Sequence, residues 1–167
     1  YEEEHDRYVL KGAIPAQESL RAAETVYPPF ELSYWHFAMQ VAQTWRERTR
    51  MERVPDWDVQ IEKLSPLADN DEQLYLAAET AVDTYKDIRF TSDHMAVLGA
   101  VGILPMKQLI HAGYMKNTLH WIWDNWNWDK TWGWDYPMTA MNAARMGEPE
   151  KAGSALLMDK RTNTYLV

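Results

Sequence analysis

The sequence has 167 residues, 46% apolar and 25% charged, which is enough for one sizeable core and matches the balance of an ordinary globular chain. Seventeen basic against 25 acidic residues leave a net charge of −8, which argues against a nucleic-acid partner, whose phosphates call for clustered Lys and Arg. There is no cysteine, so disulfides, thiolate metal sites and cysteine nucleophiles are excluded.

In chain order, Ile14 to Val26 reads as a first helix, with Leu20, Ala23, Thr25 and Val26 on its apolar face and Pro28-Pro29 stopping it. Glu31 to Arg50 is the clearest helix. Leu32, Trp35, Phe37, Met39, Ala42 and Trp45 broadly follow a 3.6-residue period, and Arg46, Arg48 and Arg50 suit its C-terminal dipole. A short helix from Trp57 to Leu64 follows Val54-Pro55-Asp56. In the next stretch Asp69-Asn70-Asp71 reads as a turn, while Leu74 to Ala78 fits either a short strand or a helical turn.

Ser92 is placed to cap a helix from Asp93 to Leu104 that is apolar all round and is therefore expected to be buried on every side. Further helices are read from Tyr114 to Trp126, from Pro137 to Met146 with Gly147 as its left-handed cap, and from Pro149 to Met158. The apolar run from Met95 to Met106 is too short to span a bilayer and holds Gly and Pro, so no membrane insertion is expected. The reading is all-α, one domain, with antiparallel helical hairpins in an inner and an outer layer. Starting at Tyr1 and stopping at Val167, the chain reads as a fragment or processed product.

Nine Trp and nine Tyr against three Phe are the compositional outlier. Indole and phenol pair a flat apolar face with a polar handle, which suits sugar binding as well as cores. Six Trp fall between Leu119 and Pro137. Residues two apart point to nearly opposite sides of a helix, so Trp121 and Trp123 do not share a stripe. Trp126, Trp128, Trp132 and Trp134 lie among Asn, Asp, Lys and Gly, which favours a loop. Such a loop fits a sugar subsite, where rings stack on C–H faces and carboxylates take hydroxyls, and equally a loop stapled to the core by its indoles.

Three polar clusters precede predicted helix starts: Pro29-Phe30-Glu31, Thr91 to His94, and Trp134 to Pro137. In a barrel of helix pairs the inner helices start at one mouth, where orphan N–H groups favour carboxylates. Ordinary capping accounts for any one cluster alone. Glu31, between Phe30 and Leu32 with Tyr34 and Trp35 near, is the sharpest candidate. A shielded carboxyl has a raised pKa and suits a general acid. Glycoside hydrolysis normally needs a second carboxylate, for which Asp135, Asp124, Asp129 and Asp93 are open choices. No two of the five His have metal-ligand spacing, so neither a metal site nor a cofactor is expected. His94, beside Asp93, is a candidate for a sugar hydroxyl.

Two stretches carry a resemblance. Pro28 to Trp35 followed by Ala42 to Arg48, and Trp132 to Ala152 with Leu156-Leu157 and Thr162-Asn163-Thr164, are similar to segments of the six-hairpin, glycosidase-like (α/α)6-toroid proteins. Those proteins are related in fold to inverting α-fucosidases and disaccharide phosphorylases. The resemblance implies roughly the C-terminal half of a catalytic toroid, acting on oligosaccharide or polysaccharide, exported, and completed by the rest of a parent polypeptide. It places Glu31 as general acid and Trp134-Asp135 on a wall of the cleft. With the residue reading, Asp135 is the expected water-activating partner, and Tyr34, Trp35, His94, Trp128, Trp132, Trp134 and Tyr136 are the expected substrate contacts. A different class also fits: a non-catalytic module binding protein or glycan, since Ala143 to Ala152 resembles a tetratricopeptide turn. The absence of a repeat period weighs against it.

Overall fold

The computed structural model describes residues 1–105 and 109–164. Helices carry it, and among the described residues there is no strand, only isolated bridges such as Tyr8 with Leu64 and Lys11 with Val26. Helix α1 (Pro29–Arg48) starts with Pro29 in its first turn, where the missing N–H costs nothing. α2 is Pro55–Glu62, α3 a single turn Ile88–Thr91, α4 Ala112–Asn125, α5 Asp135–Arg145 and α6 Pro149–Leu156. No helix among the described residues is long and apolar enough to cross a membrane. The last residue of the apolar run, Met106, lies outside them.

The core is where helix faces meet. On α4, Met115, Leu119 and Ile122 recur at helical spacing and are sealed from solvent. They join Leu32 of α1, Tyr136 and Ala143 of α5, and Met95, Val97, Leu98 and Val101 of the segment between α3 and α4. Each fully buried large apolar side chain stabilises the fold by about 1.5–3 kcal/mol. α5 and α6 pack as a pair whose turn is a Schellman cap. Glu148 N–H reaches Ala143 O at 2.9 Å and Gly147 N–H reaches Ala144 O at 3.2 Å, with Gly147 at φ +77°.

Two expected helices do not form. From Ile14 to Val26 only Ala22–Glu24 is helical, and as a single 3₁₀ turn. Pro15 denies the segment an N–H, and remote carboxylates take the N–H groups of Ala16 and Ser19, so no intrahelical ladder starts. The Asp93–Leu104 segment is buried on most sides as expected, but only Ala96–Ala100 is helical, and as 3₁₀. A Cβ on Gly102 would meet Met138 O at 2.8 Å, so α5 lies directly against this backbone, and contact rather than helix propensity shapes it. Ser92 closes α3 instead of opening a later helix. Leu74 to Ala78 is neither strand nor helical turn but a buried irregular stretch behind the Asn70 turn.

Candidate functional site

The start of α5 is a turn folded on itself. Asp135 N–H donates to Trp132 O at 3.0 Å, and Trp132 N–H donates back to Asp135 Oδ2 at 2.9 Å. Gly133 is required in between, because a Cβ there would meet Thr162 O at 2.9 Å. The turn leaves the rings of Trp132 and Trp134 about half exposed while sinking the Asp135 carboxylate to zero exposure.

Beneath the indoles sits His94. Its Nδ1 lies 3.1 and 3.2 Å from the two Asp135 oxygens, and the ring is 2% exposed. Trp134 meets the imidazole edge-on at 4.5 Å between centroids, and Trp132 lies tilted at 5.4 Å. Burial pushes the Asp135 carboxyl above the usual aspartate range, while the Trp132 N–H and His94 pull against it. A buried acid paired with a buried imidazole fixes the ring's orientation and tautomer, and hence the plane on which both indoles rest.

Glu31, in the first turn of α1, accepts a 2.6 Å hydrogen bond from Ala16 N–H. Burial is the larger influence on its acidity and raises its pKa, with the backbone donors opposing. A cavity of about 70 Å³ lies between the clusters, bordered by Ala16, Phe30, His94, Ala96, Trp134 and Met138 among others. The three polar clusters read from the sequence therefore border one space. Its lining is apolar, with Glu31 engaged one residue away from Phe30 and Asp135 engaged beneath His94.

Other expected contacts are placed differently. Trp128 is 9% exposed with its N–H on Trp123 O, and Tyr136 is fully buried with its hydroxyl donating to Trp128 O at 2.9 Å. Neither offers a face to a ligand; both are staples, because the apolar ring is worth most in the core once its polar end is satisfied. Trp126 acts likewise, its N–H on Asp93 O at 2.9 Å. Tyr34 is half exposed, tilted against Phe30 at 6.4 Å. Trp35 is half exposed but borders separate hollows with Met39 and Gln60, away from the His94 cavity.

The residues that sequence reasoning missed lie in a segment expected to be a helix: Ala16, which borders the cavity, and Gln17 and Ser19, which bond to Phe90 O and to Asp93 beside it. Pro15 was the available signal. Among the described residues no group of three or more His, Asp or Glu side chains is placed to hold a metal ion. Fold and site together define a class: an all-helical chain with a paired-indole rim over a buried histidine–carboxylate pair. Comparison with protein-family models, with curated proteins and with solved structures returned no match for this chain.

Proposed function

We propose that this chain binds oligosaccharide on the Trp132–Trp134 rim and belongs to a carbohydrate-active domain of the (α/α)6 hairpin type. The observation that carries this is the pair of half-exposed indoles packed against the buried, hydrogen-bonded His94–Asp135 pair. Stacking a pyranose on a ring already fixed by its neighbours costs little conformational entropy. The sequence resemblance of Trp132 to Ala152 supports the same reading.

Within it, Glu31 is the acid that protonates a leaving-group oxygen, since its shielded carboxyl holds a proton at higher pH than a free glutamate. Asp135 acts as a positioning residue through His94, and the base is left to another carboxylate.

The test is a fluorescence titration with maltohexaose, xylohexaose and cellohexaose. At least one should quench the indole emission, and Trp134→Ala should weaken that sugar's binding roughly tenfold. No quenching by any of the three, or an unchanged Trp134→Ala affinity, removes the proposal.

A further inference from the structure

The segment over the cavity is a closed-neck loop. Its two ends are tied where Tyr27 N–H donates to Leu10 O at 2.9 Å and Gly12 N–H donates to Thr25 O at 3.2 Å, beside the Lys11–Val26 bridge. Gly12 (φ +72°) and Tyr27 (φ +53°) turn the chain at this neck. Between them, residues 13–24 form a compact loop of the Ω type, a class frequently functional. Ile14 stands 87% exposed on it, while Pro15 and Gln17 are buried beneath.

The body of the loop is fastened to the site by few contacts. Ala16 N–H is held by Glu31 and Ser19 N–H by Asp93 Oδ2 at 2.5 Å, and Gln17 Nε2 donates to Phe90 O at 3.3 Å. Its one large apolar anchor, Leu20, packs on a satellite cluster of Ala77, Ala78 and Ala81 with Phe90, apart from the main core. Small alanine side chains make that burial shallow. Ser19 Oγ is buried with no partner, so the closed state carries an unsatisfied polar atom that opening would hydrate. Thr80 Oγ1 adds one bond to Glu24 O at 2.8 Å, so every hydrogen bond from the loop body to the rest of the fold has a side chain on one side and none belongs to a backbone ladder. Few buried apolar contacts and such isolated bonds are the physical marks of a unit that opens below the global unfolding free energy.

We infer that residues 13–24 are a lid. They swing as one body about the Leu10–Gly12/Thr25–Tyr27 neck, with Glu31 and Asp93 as latches, and uncover the cavity beside His94 and Trp134. Ala16 borders that cavity directly, so movement of the loop changes access to it. What the lid admits rests on the oligosaccharide reading; that it opens does not. The lid also accounts for the engaged state of Glu31: the carboxyl is held by Ala16 while the lid is shut and is released when it opens.

The experiment is residue-resolved amide hydrogen exchange by NMR on the full chain without added sugar. Ala16 and Ser19 amides should share one opening constant, at least ~100-fold larger than that of Leu119 at the centre of α4. Glu31→Ala should speed exchange at Ser19 roughly tenfold, although Ser19 is bonded to Asp93 and not to Glu31. Exchange of Ala16 and Ser19 only together with Leu119 overturns the lid, and so does an Ser19 rate untouched by Glu31→Ala. Should that variant not fold, the wild-type comparison decides alone. If a hexaose quenches the indoles, saturating sugar should change the Ala16 and Ser19 rates together; if none does, the oligosaccharide reading fails while the sugar-free exchange still decides the lid.

Discussion

His94 and Asp135 come from parts of the chain 41 residues apart, and their side chains meet at 3.1 Å with solvent excluded from both. Each relieves part of the other's burial cost: without Asp135 the His94 Nδ1 loses its partner, and without His94 the carboxylate keeps only the Trp132 N–H. The pair therefore ties the start of α5 to the segment before the 3₁₀ turn, and the indole rim inherits its rigidity from this tie.

Replacing Asp135 by Leu should accordingly cost about 3–5 kcal/mol, because it strands both His94 and the Trp132 N–H. Urea unfolding gives the value, and near-ultraviolet circular dichroism should lose tryptophan fine structure as the rim loosens. A loss below about 1 kcal/mol contradicts the structural role given to the pair.

The two kinds of indole should separate experimentally. Trp128→Ala should cost about 3–5 kcal/mol, as a buried ring leaves a cavity. Trp134→Ala, at a half-exposed ring, should cost only about 1 kcal/mol, and under the proposed function the same variant weakens oligosaccharide binding roughly tenfold. Equal stability losses would mean that Trp134 is also a staple.

Glu31 makes a pH prediction. Its folded pKa lies above the ordinary 4.5, so between that value and the raised one the folded state holds more proton than the unfolded state. Its contribution is fully present below pH 4.5 and is lost as pH rises through the folded pKa. Glu31→Gln keeps an acceptor for Ala16 N–H but cannot ionise. Its melting temperature relative to wild type should rise between pH 4.5 and neutrality. A flat difference across that range would exclude the burial effect.

Two glycines are expected to resist substitution for different reasons. Gly102→Ala forces a methyl against the carbonyls of Met138 and Leu98, at 2.8 and 3.0 Å, and should cost roughly 1–3 kcal/mol. Gly147→Ala meets nothing but must keep φ at +77°, which should cost about 1 kcal/mol. Thermal unfolding of both variants checks the order.

Much of this was legible in the residues. The existence of α1 and α4 and the Gly147 cap are local signals, because helix geometry relates only neighbours in the chain. So was the irregular character of the indole-rich stretch after α4. The apolar stripe read on α1 is not its buried face, since Trp35 and Trp45 are half exposed or more while Ser33, His36 and Gln43 are buried beside Leu32. What the sequence left open was which indoles staple and which stay exposed, since Trp128 and Trp134 stand in similar polar company and differ only in what packs on them. The same limit produced the false helix at Ile14 to Val26. Its N–H groups are taken by Glu31 and Asp93, 15 and 74 residues away from their donors, and no local pattern carries such partners. Periodicity and capping thus settled where the chain coils; long-range hydrogen bonds and close backbone approach, which only the folded arrangement supplies, decided where it does not and which side chains meet at the site.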